Sequence, residues 1–482
     1  MSISNTLSNA LSGLTAASRM AEVVSSNLAN AMTDGYGPRR VDLSARILGG
    51  TGAGVSIDGV TRMVDQRLIG DRRLATASQT AAGDTASALQ HLEAIFGAAD
   101  SPDSLSARIA ALEKSLVAAG ADPASDIALS DVAGKFGAVV STLHDQAAGI
   151  ADMREQADAD IAAQVDSLNG ALSQVEGLNA DIARIRAGNG DTSALLDARQ
   201  KAIDQVAGIV PLREIDRGNG QIALMTISGQ TLLDGKAVTV GFTPTHTIVP
   251  EMTLASGALS GLTINGQPVA GGGAVGRLDG GGLGAAFALR DDRLQAAQTA
   301  LDYVAADLAQ RLQDPAVDPT LTLGNPGLLT DAGQTYDPAN LTGLSGRITL
   351  SAAIDPQAGG SIQRLRDGLG STGPGPAGDA SILDSIRAAL ADPRSLVPGG
   401  EVRSAAGHAA SLAAQTALQR TSAEDEASFA GARLDTLCQA ELAGGVDTDQ
   451  EMQNLIRIEQ AYSANAKVMQ TVQSMLQRLM EL

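Results

Sequence analysis

The chain is poor in aromatic residues and nearly free of cysteine. Among its 482 residues are no tryptophan, four tyrosines and five phenylalanines, so a core must be built mainly from Ala, Leu, Ile and Val. That composition favours helices packed through small side chains over aromatic-rich sandwiches. The single cysteine, Cys438, excludes an intrachain disulfide framework. Hydrophobic residues still make up 44% of the chain, which argues against wholesale disorder.

Basic residues are scarce as well. The chain has 34 Lys and Arg against 54 Asp and Glu, a formal net charge of −20. Nucleic-acid binding requires clustered basic residues that neutralise phosphates, and an anionic membrane surface would repel this chain, so we expect neither partner. The first twenty residues lack the regions of a secretory signal peptide. By these rules alone the protein is cytoplasmic, or it leaves the cell by a route that reads no cleaved signal peptide.

Signatures of catalysis and of cofactor or metal binding are also missing. The four histidines have no metal-ligand spacing with another His or Cys. The stretch GGGLGA at 280–285 fits a loose dinucleotide-binding pattern, but it lacks a clear preceding strand and an acidic partner. A turn into a helix is the favoured interpretation there. We therefore predict no enzyme activity, no catalytic residues, no cofactor and no metal ion.

What the chain does contain is a regular apolar stripe at each end. Steps of three and four residues, the heptad pattern, run along Ile3, Leu7, Ala10, Leu14, Ala17, Ala21, Val24, Leu28 and Ala31. A second stripe follows Leu455, Ile458, Tyr462, Asn465, Met469, Val472, Leu476 and Leu479. Such helices need a partner to cover the apolar face. If they pair with each other, the pair is antiparallel and the rest of the chain is an insertion; the spacing equally fits ordinary core helices.

Polar residues mark the ends of both stripes. Asn27 and Asn30 are three residues apart and share a helix face, and an Asp-Gly turn signal and Tyr36 follow them. Thr448 and Glu451 have the spacing of a capping box at the start of the last helix. Asn465 interrupts the second stripe, and a polar residue in a heptad seam usually sets the register.

The expected fold is mainly α with an inserted β-containing region: antiparallel terminal heptad helices, a helical-bundle domain and a smaller β-rich outer domain. Glycine-rich breaks and Asn-Gly turns between short apolar runs define the segments. The expected segments are an N-terminal axial helix (1–45), a helical domain (46–207 with 285–313 and 402–443), a β-rich insertion (208–284), a Gly/Pro-rich irregular or β insertion (314–401) and a C-terminal axial helix (444–482).

Three stretches carry a family resemblance. SGLTAASRMAEVVSSNLANAMTDGYGPRRV at 12–41 resembles the N-terminal signature of the flagellar axial proteins, the family of rod, hook and hook-associated proteins. EQAYSANA at 459–466 is similar to the ending of the hook and hook-associated members. LNADIARIRAGNGDTSALLDARQKAIDQVAGIVPL at 178–212 resembles the helical region of the hook-associated members.

This resemblance implies a structural role at the junction between hook and filament. It also implies export through the flagellar channel, terminal helices that form a coiled-coil inner tube, and middle domains that project outward. The implied partners are other copies in a ring, the hook protein, the second junction protein, and the export chaperone and apparatus. The assembly interface would comprise Leu7, Leu14, Val24, Asn27, Leu28, Asn30, Gly35, Tyr36, Leu455, Ile458, Tyr462, Asn465, Met469, Val472, Leu476 and Leu479.

Other interpretations stay open on the sequence alone. A hook protein or another axial protein has similar termini, although about 140 residues of predicted helix come before any β-rich region here. A secreted hydrolase or adhesin could occupy 208–400 on flagellar-type termini. A cytoplasmic coiled-coil scaffold would also have heptad helices.

Overall fold

The structure is a computed structural model, and it describes residues 3–33, 35–48, 51–98, 101–188 and 190–480. It is mainly helical, with several small antiparallel sheets. The helices are α1 (Ile3–Ala29), α2 (Gln66–Phe96), α3 (Leu105–Ala121), α4 (Asp126–Ala187), α5 (Ser193–Ile209), α6 (Gly281–Ala288), α7 (Leu294–Leu312), α8 (Leu344–Arg347), α9 (Arg364–Asp367), α10 (Ser381–Ala391), α11 (Ala405–Ala443) and α12 (Thr448–Met480).

The strands form antiparallel pairs throughout the described residues. They lie in the sheets β1–β2, β3–β4–β5–β6, β7–β8–β9, β10–β11 and β12–β13. Their bounds are β1 (Arg39–Leu48), β2 (Thr51–Arg62), β3 (Leu212–Gly218), β4 (Gln221–Thr226), β5 (Thr231–Asp234), β6 (Lys236–Ala237), β7 (Val240–Gly241), β8 (Thr263–Ile264), β9 (Gln267–Pro268), β10 (Leu329–Asp331), β11 (Ile348–Leu350), β12 (Arg394–Ser395) and β13 (Val402–Arg403).

Local sequence signals account for many of these boundaries. Asp65, Ser104 and Ser125 each accept backbone N–H groups two or three residues ahead, which caps the starts of α2, α3 and α4. Two-residue Asn-Gly loops at 219–220 and 265–266 have positive φ at both positions and close the β3–β4 and β8–β9 hairpins. The glycines at 280–285 begin α6, in agreement with the turn interpretation of that stretch.

The helix α4 is the long axis of the body. Its 62 residues extend roughly 90 Å at 1.5 Å per residue. The first half packs with α2, α3, α7, α10 and α11 in one hydrophobic core, which the irregular segment between α7 and α11 also joins. The second half packs with α5, α6 and the β3–β4–β5 strands in another. One helix therefore belongs to both cores and connects them.

A buried charged cluster lies where the two cores meet. Arg290, on a π-helical turn between α6 and α7, is fully buried and binds Asp158 of α4 at 2.5 Å. Its guanidinium lies 4.9 Å from the ring centre of Phe287. Arg154 of α4 donates to the carbonyls of Arg290 and Met252, at 3.2 and 2.8 Å. These bonds attach the outer loop near residue 250 to the central helix.

The hairpin β1–β2 is the main departure from the expected fold. Its strands occupy residues 39–45, where the N-terminal axial helix was expected, and residues 46–48 and 51–62, where the helical domain was expected. The sequence contained its signal: apolar residues alternate at Val41, Leu43, Ala45 and Ile47 before a stretch of sequence rich in glycine. The hairpin lies along α1, and the Ser12 hydroxyl accepts the Val55 N–H at 3.1 Å. Gly54 has φ +100, and a Cβ there would collide with the Ser12 side chain.

Candidate assembly interface

The two chain ends lie side by side as an antiparallel helix pair, α1 with α12. Asn27, near the end of α1, contacts Glu451, near the start of α12. Fourteen residues earlier, Gly13 faces Asn465: a Cβ at Gly13 would lie 2.8 Å from the Asn465 amide nitrogen. Lacking a side chain, Gly13 lets the seam asparagine lie against the α1 backbone. Between these contacts, Ala17, Val24 and Ile458 form a small apolar cluster.

The sixteen expected interface residues differ widely in exposure. Those buried in the chain are Val24, Asn27, Ile458 and Val472. Those partly buried are Leu7, Leu14, Asn30, Gly35, Tyr36, Leu455, Asn465 and Met469. Those exposed are Leu28, Tyr462 and Leu476, at 38%, 49% and 39%. The side chain of Leu479 lies outside the described ones, as does Asp34 of the expected Asp-Gly turn, whose Gly35 has φ +74.

Asn27 connects four segments of one chain. Its side-chain amide donates to the Arg39 carbonyl at 2.9 Å and to the Glu451 carboxylate at 2.8 Å. Its side-chain oxygen accepts the Tyr36 hydroxyl at 2.8 Å and the Arg39 N–H at 3.0 Å. The residue is 1% exposed, so both polar atoms are satisfied inside the chain. Asn30 instead donates to the Ser26 carbonyl within its own helix end.

The start of α12 differs from the expected capping box. Asp447, not Thr448, is the capping side chain, because its carboxylate accepts the N–H groups of Asp449 and Gln450 at 3.0 Å each. Glu451 turns away from the helix start and accepts the Asn27 amide. The capping-box prediction for Thr448 and Glu451 was therefore wrong. A carboxylate in the first turn of a helix can bind either its own helix or a neighbouring one, and Glu451 binds the neighbouring one.

An ion-pair network then joins the turn after α1 to α5 of the helical body. Asp197 of α5 accepts from Arg39 at 2.9 Å, from Arg62 at 2.6 Å and from the Gly37 N–H at 3.1 Å. The Arg39 guanidinium also lies 4.9 Å from the ring centre of Tyr36, a favourable cation–π distance. Side chains from both ends of the β1–β2 hairpin therefore meet at one carboxylate.

A second group of charges continues the network towards α11. Arg72 of α2 binds Asp204 of α5 at 2.8 Å and Glu441 of α11 at 2.5 Å. Burial disfavours the charged form of Arg72, but the two carboxylates outweigh it and raise its pKa. Arg73 binds Asp204 at 2.5 Å and also contacts Glu214 of β3. Charged pairs of this kind set the relative position of α2, α5 and α11 at the base of the helix pair.

The helix pair and the hairpin leave large apolar side chains uncovered in this single chain. The exposed apolar side chains of α1 and the following turn are Leu11, Leu28 and Met32, and those of the hairpin are Leu43, Ile47 and Ile57. Those of α12 are Met452, Ile456, Tyr462, Val468, Met475, Leu476 and Met480. A contiguous set of exposed apolar residues on a protein marks an interaction surface. A groove of about 590 Å³ also opens between α1, β1 and the start of α12.

The described residues show no arrangement that suggests a metal centre or a membrane span. Among them, no three His, Cys, Asp or Glu side chains are grouped so as to hold a metal ion. None of the helices there has the length and apolar character needed to cross a bilayer. Two of the four histidines have structural partners, since His144 and His408 lie 2.7 Å from the carbonyls of Ile348 and Arg394.

The sequence did not reveal that four charged residues of the interface join separate segments of the chain. These residues are Arg39, Arg62, Asp197 and Glu451. Arg39 and Asp197 stand in two of the stretches that carry the family resemblance, but no local pattern relates them across 158 residues. The fold and this site define a class of protein: an elongated assembly protein whose two chain ends form one antiparallel helix pair at the base of a helical body.

Comparisons with known proteins give the family. The model of the flagellar hook-associated protein FlgK helical domain matches residues 89–315. Models of the flagella basal body rod protein and of the flagellar basal body rod FlgEFG protein C-terminal match residues 7–36 and 443–482. Over these ranges the chain is similar to flagellar hook-associated proteins in its middle and to flagellar rod proteins at both ends. The family resemblance of the sequence is thereby confirmed.

Individual proteins show how far the similarity extends along the chain. Flagellar hook-associated protein 1 of Bacillus subtilis (strain 168) is 23% identical over 508 residues, covering 98% of this chain and 97% of the relative. The protein of the same name from Salmonella typhimurium (strain LT2) is 27% identical over 289 residues, covering 54% of this chain and 51% of the relative. The solved structure of the flagellar hook junction protein FlgK from Burkholderia pseudomallei matches with a TM-score of 0.45 at 18% identity, covering 55% of this chain and 47% of that chain.

Proposed function

We propose that this chain is the adaptor between hook and filament, assembled through its terminal helices after export through the flagellar channel. The observation that carries the proposal is the α1–α12 pair, which joins both chain ends and leaves apolar side chains uncovered on the faces turned away from the pair. The similarity to a hook-associated protein along almost the whole length of both chains supports it.

The energetics favour contacts with further subunits. Ordering a residue costs about 1–2 kcal/mol in backbone entropy, and burying a large apolar side chain gains about 1.5–3 kcal/mol. Among the side chains of the helix pair that the structure describes, the buried apolar ones are Ala10, Ala16, Ala17, Val23 and Val24 of α1, and Ile458 and Val472 of α12. Neighbouring copies in a ring would cover the other faces and stabilise the helix pair further.

The expected interface residues divide into two groups under this proposal. The buried group, such as Asn27 and Ile458, holds the two ends of one chain together. The exposed group, including Leu28, Tyr462 and Leu476, contacts neighbouring subunits. The terminal helices α1 and α12 form the inner tube, while the helical domain and the insertions at 208–284 and 314–401 project outward.

The proposed partners are further copies of the chain, the hook protein on one side and the second junction protein on the other. The export chaperone and apparatus would handle the chain before assembly. Localisation follows from this: the protein is made in the cytoplasm and acts in the extracellular flagellum. The relatives are structural flagellar proteins, which disfavours the hydrolase interpretation.

The test is deletion of the gene, followed by electron microscopy and measurement of filament protein in the culture medium. We expect bare hooks and shed filament subunits. In complementation, Tyr462→Ser should fail to restore filaments although the purified variant keeps the wild-type melting temperature, because Tyr462 is half exposed in the single chain. Phe429→Ser, which changes an exposed aromatic residue of α11, is the matched control and should restore filaments. Normal filaments on the deletion strain would refute the junction role.

A further inference from the structure

A basic cavity of about 400 Å³ opens between α2, α5 and the β3–β4 hairpin. Four arginines line it, Arg62, Arg73, Arg186 and Arg199, against two acidic residues, Glu214 and Asp216. Asp197 and Asp204 of α5, behind the lining, pair with Arg62 and Arg73, so the positive charge available inside the cavity is that of Arg186 and Arg199. Guanidinium groups that line a cavity attract anions.

The arginines of the cavity are unequally paired. Arg62 and Arg73 bind carboxylates of α5. Among the residues that the structure describes, neither Arg186 nor Arg199 has a carboxylate within 4.0 Å. Arg199 is only 8% exposed, and its hydrogen bonds go to the neutral oxygens of the Asn179 side chain and the Gly220 carbonyl. A buried guanidinium that no carboxylate contacts directly is only partly compensated by the more distant charges of Glu214 and Asp216, and an incoming anion would offset the remaining cost.

The electrostatics of Arg199 agree with this geometry. Burial lowers its pKa, and the charges of Arg186 and Arg62 lower it further, although Glu214 and Asp216 act in the opposite direction. Guanidinium groups stay protonated in proteins, so the site keeps its positive charge at neutral pH.

Gly220, in the turn of the β3–β4 hairpin, lies beside both of these arginines. Its φ is +77, and a Cβ there would lie 3.0 Å from the Arg186 Nε. The absence of a side chain lets the Arg186 stem lie against the turn, on the same backbone segment whose carbonyl accepts from Arg199. Planar guanidinium groups bind carboxylates through paired, charge-assisted hydrogen bonds.

We propose that this cavity binds a carboxylate group between Arg186 and Arg199. The carboxylate can come from a free small polycarboxylic acid or from an Asp or Glu side chain of a neighbouring copy, since the chain has 54 acidic residues. Binding by the purified chain does not depend on the proposed junction function, so the two can fail separately.

The first experiment measures citrate binding to the purified chain by calorimetry at constant ionic strength. We expect saturable binding that Arg186→Gln weakens by about tenfold or more, the loss expected of a hydrogen bond between charged groups. Arg184→Gln is the matched control, because this neighbouring residue is 76% exposed and paired with Asp181; it should leave citrate affinity unchanged. Saturable binding that both variants reduce equally would overturn the proposal.

The second experiment separates the two sources of carboxylate. Arg186→Glu and Arg184→Glu are compared for restoring filaments to the deletion strain. A defect of Arg186→Glu alone assigns the site to a side chain of a neighbouring copy. Citrate binding that depends on Arg186, with normal filaments in both variants, assigns it to a free acid. Absence of saturable citrate binding together with normal filaments in both variants would overturn the proposal.

Discussion

Replacing Asn27 with alanine should open the α1–α12 pair without unfolding the helical body. The side chain makes four hydrogen bonds, at 2.9 and 2.8 Å as a donor and at 2.8 and 3.0 Å as an acceptor. A net contribution of about 0.5–1 kcal/mol for each bond makes the loss roughly 2–4 kcal/mol. The hydrophobic cores contain none of these four bonds, so the melting temperature of the body should not change.

Trypsin offers a direct measurement, because Arg19 and Arg39 lie on either side of Asn27. Cleavage tracks the population of the opened state when opening and closing are fast relative to cleavage. A loss of about 2–4 kcal/mol then accelerates cleavage roughly 30- to 1000-fold. The matched control is Asn30→Ala, which removes a bond to the Ser26 carbonyl at 2.9 Å and one from the Thr33 hydroxyl at 3.4 Å, both within the helix end. Because neither bond joins α1 to α12, this variant should accelerate cleavage less than about fivefold.

Two results would refute this reasoning. If wild type and Asn27→Ala are cut at the same rate near the end of α1, Asn27 does not hold the helix pair closed. If Asn30→Ala is as sensitive as Asn27→Ala, the effect comes from weakening the helix end, because the two residues differ in their contacts with α12 and β1. If Asn27→Ala is cut faster and also melts at a lower temperature than wild type, Asn27 stabilises the whole helical body and not the helix pair alone.

Two further predictions concern packing and pH. Gly13→Ala should promote tryptic cleavage of α1, since the new Cβ would lie 2.8 Å from Asn465 and overpacking costs about 1–3 kcal/mol. The control is Gly70→Ala, which has open space around its Cβ and should raise the melting temperature instead. A lower melting temperature of Gly70→Ala would contradict this prediction. Burial raises the pKa of Glu113 above 4.5, although Arg387 opposes the shift, so its contribution to stability falls as pH rises through that raised pKa. Glu113→Gln should therefore raise the melting temperature at pH 7, with the gain vanishing below about pH 4; a gain independent of pH would exclude the charge as its cause.

Short-range patterns were reliable guides to the elements. Ser104, Ser125 and the Asn-Gly pairs act through residues two to four positions away, so their effect can be recognised in a short window. The glycine breaks near 97, 120 and 188 lie at the ends of α2, α3 and α4 for the same reason. The β1–β2 hairpin was overlooked although it has an alternating pattern. Its apolar residues are largely exposed in the single chain, so the alternation does not describe a conventional half-buried sheet.

The interface charges were beyond a local pattern. Glu451 could cap its own helix or bind Asn27, and both roles need a carboxylate in the first turn. The neighbouring sequence therefore does not show which role it has. Asp197 is one of 54 acidic residues, and its meaning depends on two arginines that reach it from the ends of a hairpin. Arg199 likewise became notable only because it is buried without a carboxylate partner in the described part of the chain.

The sequence by itself determined the class of the protein: heptad stripes at both ends, a helical middle interrupted by β-rich and irregular segments, and the family signatures. These features depend on periodicity, composition and contiguous motifs, which can be recognised without knowing which distant residues are in contact. Only the tertiary structure decided which stripe residues are buried and which stay uncovered, that Asn27 binds Glu451, and that the hairpin and α5 share Asp197. Burial and ion pairing depend on residues far apart in the chain, and only the folded backbone brings those residues together.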